Sequence, residues 1–181
     1  MTSKSKQKGN SWEREVAAFL SETLGGHFMR TPGSGAYIGG SNSHRKTFLE
    51  AGQTRGAKGD IIPPDDLSKL NLEAKNYAEI PFNQILNGQC KQLDAWIDQT
   101  EEPADEDDVS FTIFKITRKG SWVAFHNSLS PDFDLSSLSY LTYRKVSEIN
   151  SGTYIITDHE SFFKANVDAV RALGSKGHLK I

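Results

Sequence analysis

Residues 70–76, Leu70-Asn71-Leu72-Glu73-Ala74-Lys75-Asn76, read as a β-strand. Side chains alternate across a strand, so Leu70, Leu72 and Ala74 share one face, while Asn71, Glu73 and Lys75 share the other. The apolar face can enter a core. The polar face then sets a carboxylate beside an ammonium. Upstream, Gly59-Asp60-Ile61-Ile62-Pro63-Pro64 reads as a second short strand with one acid at its start. Two carboxylates on neighbouring strands, with a lysine beside them, can hold a hard divalent cation and a water for phosphodiester hydrolysis. Glu-x-Lys is also a common pattern on exposed strands, where such a pair is merely solvated. The two readings separate on what else converges there.

The chain has 181 residues, which predicts one domain with room for a core. No apolar run approaches membrane-spanning length. The polar, basic stretch Met1–Asn10 has no apolar segment behind it, so neither a membrane span nor a signal peptide is expected. The single cysteine, Cys90, excludes an intramolecular disulfide and fits a reducing cytoplasm. The five histidines are scattered and no pair has zinc-ligand spacing. The net charge is −2, yet residues 1–60 hold nine basic and five acidic residues, a balance of +4, leaving −6 for the remainder. That asymmetry suits one face meeting a polyanion, although chance segregation gives the same count.

Working outward from the strand, residues 1–9 carry Lys4, Lys6 and Lys8 and read as a flexible basic arm. Asn10 or Ser11 then caps a helix to about Leu24, with Trp12, Val16, Phe19 and Leu20 on its apolar face. Glu13 borders that stripe. It either projects into a site beside the core or completes an Asn10-x-x-Glu13 capping box. A short strand from His27 to Thr31 follows. The segment of about 33–59 is rich in Gly and Ser and contains Ser34, Arg45, Lys46, Arg55 and Lys58. It is too long for a neutral connector, and its glycines and cations suit close approach to phosphates. Gly52–Gly59 fails as a nucleotide P-loop, because no glycine precedes Lys58 and no Ser or Thr follows it; no nucleotide cofactor is expected.

Downstream, a helix is predicted over about 82–99, with Ile85, Leu86, Leu93, Trp96 and Ile97 buried. A glutamine on it, such as Gln89, is a candidate DNA contact or simply a polar surface residue. The acidic run 101–108 reads as a solvated loop held away from DNA. Strands are predicted over Val109–Arg118 and Ser121–His126, joined by a hairpin at Lys119-Gly120, and over Thr153–Thr157. Asp158 should cap a last helix to about Leu173, closed by Gly174. Residues 127–150 give no clear reading.

Four stretches together resemble the PD-(D/E)xK nuclease superfamily, and within it the archaeal-type Holliday junction resolvases and their phage relatives. They are Lys8-Gly9-x-x-x-Glu13-Arg14-Glu15, Phe28-Met29-Arg30-Thr31-Pro32-Gly33-Ser34, Gly59-Asp60-Ile61-Ile62 and Leu72-Glu73-Ala74-Lys75. They cover roughly the first half of the chain. The resemblance implies an α/β, restriction-endonuclease-like core of order αβββαβ, with a central mixed sheet flanked by helices. It implies an Mg2+-dependent endodeoxyribonuclease, with Mn2+ able to substitute. Asp60 and Glu73 would be metal ligands with the Ala74 carbonyl, Glu13 a third acid, and Lys75 the group that positions or activates water. Lys8, Arg30, Ser34, Arg45, Lys46, Arg55, Lys58 and Gln89 would face DNA. The implied substrate is a four-way junction, cut in pairs by a homodimer in the cytoplasm, the host's for a phage protein. The segment from Ser34 to Asp60 is much longer than the family's compact hairpin, which bears on substrate. The alternatives are a restriction-like or end-processing nuclease of linear or damaged duplex, a catalytically inactive DNA-binding protein on the same fold, and an interaction module built on the acidic run.

Overall fold

A computed structural model of the protein describes residues 4–31, 58–146 and 151–178. Helix α1 (Lys4–Leu24) opens the chain. Strands β1 (Met29–Arg30), β2 (Ile61–Ile62) and β3 (Leu70–Tyr77) follow. Next come two helices, α2 (Phe82–Leu86) and α3 (Lys91–Glu101), then β4 (Val109–Ile116) and β5 (Gly120–His126). A 3-10 turn over Asn127–Asp132 leads to β6 (Tyr140–Lys145) and β7 (Gly152–Asp158), and the chain ends in α4 (His159–Ala165) and α5 (Val167–Lys176).

The strands form one mixed sheet in the order β1-β2-β3-β4-β5-β7-β6. β3 and β4 are parallel, as a strand–helix–strand crossover requires, and every other pair is antiparallel. This is the restriction-endonuclease-like α/β fold that the resemblance implies.

Helices pack on both sheet faces. Trp12, Val16 and Leu20 of α1, with Phe162, Phe163 and Val170 of α4 and α5, pack on Leu70, Leu72, Phe111, Ile113 and Phe125. On the opposite face, Ile85, Leu93, Trp96 and Ile97 of α2 and α3 pack on Phe114, Ala124, Tyr143, Tyr154 and Ile156. The alternation read from residues 70–76 holds: Leu70, Leu72 and Ala74 belong to the α1-side core, so Glu73 and Lys75 face the α3 side.

Several expectations change. Residues 4–9 are not a free arm but the first turns of α1, because Lys and Gln are good helix formers continuous with the amphipathic segment. The helix expected over 82–99 is broken at Gly88, whose φ of +68° only glycine adopts cheaply. Gly174 does not end the last helix. It lies inside α5 against Leu70, where a Cβ would meet the leucine Cγ at 2.9 Å, and Gly177 at φ +80° is the terminator. Asp158 does cap α4, accepting from the Ser161 N–H at 2.8 Å, but Asn166 divides the predicted helix into α4 and α5. Residues 127–146, unread in the sequence, supply the 3-10 turn and the edge strand β6.

Candidate active site

Glu73 is 3% exposed and Asp60 6% exposed, so neither belongs to a solvated surface pair. Asp60 stands at the entry to β2, whose Ile61 pairs with Leu72 in antiparallel register. That register brings the Asp60 carboxylate to β3, where its Oδ2 accepts from the Ala74 N–H at 3.1 Å. The approach needs Gly59: a Cβ at this position would collide with the Leu72 carbonyl. Thr31 fixes the same turn from β1. Its N–H donates to the Asp60 carbonyl at 2.8 Å and its hydroxyl to the Gly59 carbonyl at 2.8 Å.

Glu73 and Lys75 are two residues apart on one face of β3 and form an ion pair. The lysine Nζ also donates to Gln99 Oε1 on α3 at 2.9 Å. Beneath that end of α3, the Asn71 amide donates to the Thr100 carbonyl at 2.6 Å, and the Thr100 and Thr112 hydroxyls meet at 2.7 Å. Burial, then the neighbouring Asp60 charge, push the Glu73 carboxyl up to about 8, against the pull of Lys75. The two acids therefore resist being ionised together, which is the condition a bound cation relieves.

Glu13 is buried at 7% exposure, but its carboxylate is paired with Arg30, whose guanidinium also donates to Asn10 Oδ1 at 2.8 Å. Arg30 shares its side of β1 with the core residue Phe28, so this pair forms on the α1 face, while Glu73 points to the α3 face. Among the described residues no group of three His, Cys, Asp or Glu side chains is arranged to hold a metal ion. The three-acid cluster expected from the sequence is thus two acids in contact, with Glu13 engaged by an arginine. Asn10 lies within α1 and holds Arg30, which removes the capping-box alternative. The donor chemistry still fits a hard divalent cation: two buried carboxylates on adjacent strands, with backbone carbonyls such as that of Ala74 beside them.

The other expected contacts divide. Lys8 is exposed and its carbonyl accepts from the Asn76 amide at 3.2 Å, which places the start of α1 beside the end of β3. Lys58 is held at 2.6 Å by both Asp105 and Asp108. Burial lowers its pKa, but the hydrogen bonds to those two acids outweigh it and the net direction is up. The acidic run is therefore not simply a solvated loop: Asp108 is buried and Asp107 pairs with Lys69. Gln89 is exposed at the break between α2 and α3, whereas Gln99 is the glutamine that reaches Lys75. Ser34, Arg45, Lys46 and Arg55 lie outside the described residues. Gln99 carried no sequence signal, since its role depends on how α3 crosses β3. Asn10 has one, its spacing of three from Glu13, but the helix begins at Lys4 and Asn10 lies within it.

Among the described residues no helix is long and apolar enough to cross a membrane. A protein family described as "Phage putative PDDEXK endonuclease" matches residues 4–170. Protein D14 of Escherichia phage T5 is 30% identical over 147 residues, covering 78% of this chain and 82% of that protein. No solved structure matches. With the family match spanning nearly the whole chain and the acid–acid–lysine arrangement in place, the chain belongs to this phage PDDEXK endonuclease family.

Proposed function

We propose that the protein is a divalent-metal-dependent DNA endonuclease that resolves four-way junctions by paired phosphodiester hydrolysis. The observation that supports it most is the pair of buried, touching carboxylates, Asp60 and Glu73, with Lys75 beside them. Burying two like charges side by side is costly for a merely structural role.

Asp60, Glu73 and the Ala74 carbonyl are the residues that would hold Mg2+ or Mn2+. A divalent cation there supplies Lewis acidity and countercharge to the phosphate. The chain's own groups do the rest. Asp60 is fixed by the Ala74 N–H, so its orientation does not depend on substrate. The Lys75 ammonium has three donors; Glu73 and Gln99 engage two, and the third is available to orient water or a phosphate oxygen. Water attacks phosphorus and the P–O3′ bond breaks, leaving a 5′-phosphate and a 3′-hydroxyl. Glu13 and Asn10 orient the Arg30 guanidinium, whose planar fork suits a backbone phosphate, and Lys8 stands beside the end of β3. The basic residues of the 33–59 segment would add salt-sensitive, sequence-independent contacts. A junction has two-fold backbone symmetry and needs two incisions, so this reading takes a C2 homodimer with one site per subunit.

The test is cleavage of a labelled immobile four-way junction against a linear duplex of matched sequence, with Mg2+ or Mn2+ and Glu73→Ala as control. Paired symmetric nicks in the junction, lost in the variant, are expected. Equal cutting of both substrates would replace junction resolution by a restriction-like or end-processing activity. Binding without cutting under either metal would favour an inactive DNA-binding protein.

A further inference from the structure

Beyond α3, the sheet face that carries Lys75 is open. A groove of about 320 Å3 lies there between α2 and the strands. Its floor is Phe114, Trp122, Leu141 and Ile156, and its walls include Phe82 and Tyr140. The lining is almost wholly apolar. Two of its rings are nonetheless half open to solvent: Phe82 is 48% exposed and Tyr140 51%. Phe114 and Trp122 are stacked, with centroids 5.7 Å apart and planes at 30°.

The sheet register ties this groove to the reacting centre. Lys75 is the partner of Phe114 across β3 and β4, and Phe114 is the partner of Trp122 across β4 and β5. At the usual spacing between strands, Trp122 lies about 10 Å from Lys75 along the sheet. The exposed Tyr77, one step beyond Lys75 on the same face, leads around the edge of α3 toward the β4–β5 turn. That turn presents Arg118 and Lys119, both exposed, and neither makes an ion pair among the described residues. The one carboxylate at the groove, Asp158, caps α4 through the Ser161 N–H.

We infer that this groove receives unpaired nucleobases of the DNA substrate, stacked against its aromatic rings, while Arg118 and Lys119 take the adjoining phosphates. The inference rests on the nuclease reading and names what the site selects: DNA whose strands separate beside the cut. An apolar aromatic slot with exposed cations on the neighbouring β4–β5 turn, whose Gly120 lies against the Trp122 ring, is the kind of arrangement that binds single strands with little regard to sequence. A paired duplex keeps its bases stacked inside and gains nothing from the slot.

The test measures binding, not cleavage, with EDTA present. Two oligonucleotide substrates are compared, a fork with two unpaired arms and the matched duplex, with 2-aminopurine in one arm next to the branch. The unmodified protein should bind the fork at least tenfold more tightly and change the 2-aminopurine emission. Phe82→Ala and Tyr140→Ala, each shown to melt cooperatively, should each lose about fivefold or more of that preference, the lower end of stacking on one aromatic ring. Arg118→Glu with Lys119→Glu should weaken fork binding and flatten its salt dependence. Equal affinity for fork and duplex, or variants that bind the fork as the unmodified protein does, would overturn the inference. So would a dimer in sedimentation that Phe82→Ala or Tyr140→Ala converts to monomer, since the groove would then be a subunit interface. Cleavage of duplex by the unmodified protein reports on the Asp60–Glu73 site separately. Fork preference without any cleavage would leave the groove standing and remove the nuclease reading.

Discussion

Replacing Glu73 with glutamine should stabilise the metal-free protein at alkaline pH while abolishing cleavage. Burial and the neighbouring Asp60 raise the Glu73 carboxyl from 4.5 to about 8. An acid whose folded pKa lies above its unfolded value favours the fold only while protonated. Its contribution is complete below pH 4.5 and is lost as pH rises through about 8. At about 1.4 kcal/mol per pKa unit, the ceiling on that loss is about 5 kcal/mol, of which about 3 kcal/mol is already gone at pH 7. Glutamine has the shape of the protonated acid and does not titrate. The assay is thermal unfolding in EDTA at pH 5 and pH 8.5 for both proteins. The difference between them cancels other titrating groups, including His159, whose pKa is lowered by burial. The two melting temperatures should nearly coincide at pH 5, and Glu73→Gln should melt roughly 5–15 °C higher at pH 8.5, given about 2–4 °C per kcal/mol for a chain of this size. Mg2+ or Mn2+ should raise the wild-type value at pH 8.5 and leave the variant's nearly unmoved. A melting-temperature difference that is the same at both pH values would refute the claim that burial and Asp60 raise the Glu73 carboxyl.

Gly59→Ala should cost at least about 3 kcal/mol or prevent folding, because the new methyl meets backbone on β3 and not a movable side chain; urea unfolding measures it. Asp98→Ala should destabilise by about 1.5–3 kcal/mol by removing one carboxylate, at 2.6 Å, from the fully buried Lys145 ammonium, and adding Lys145→Met should recover part of the loss in chemical denaturation. Asp108→Asn should loosen the hold on Lys58, and hydrogen exchange should report faster opening of the Lys58–Asp60 turn. Gln99→Ala should reduce turnover more than substrate affinity, since it removes a partner of Lys75 without touching either acid, and steady-state kinetics separate the two effects.

The strand at the centre of the fold was legible because its periodicity of two is unbroken from Leu70 to Lys75, and burial of one face follows from it. The sequence also marked Asp60, Glu73 and Lys75, since charged residues at fixed places on apolar strands leave a local pattern. Helix α1 was legible as an amphipathic helix, although its first turns were not. Here polar residues with good helix propensity look the same as a free arm until something, in this case the contact of Lys8 with Asn76, holds them.

What the chain could not announce were the relations between elements. Whether Glu13 joins Asp60 and Glu73 depends on which sheet face each side chain takes, and the fold sends Glu13 to Arg30 on the opposite face from Glu73. Gln99 matters only because α3 crosses β3 at Lys75, and the acidic run holds Lys58 only because the sheet brings residues some fifty positions apart together. The same limit explains the aromatic groove. Phe82, Phe114, Trp122 and Tyr140 are scattered aromatic residues along the chain, and nothing local distinguishes the two that end half exposed from the buried Phe114. Strand order and register set Phe114 and Trp122 side by side within two strands of Lys75, and the fold brings Phe82 of α2 and Tyr140 of β6 to the same groove. Local periodicity is written residue by residue, whereas a site is a set of distances between distant residues, and only tertiary packing fixes those.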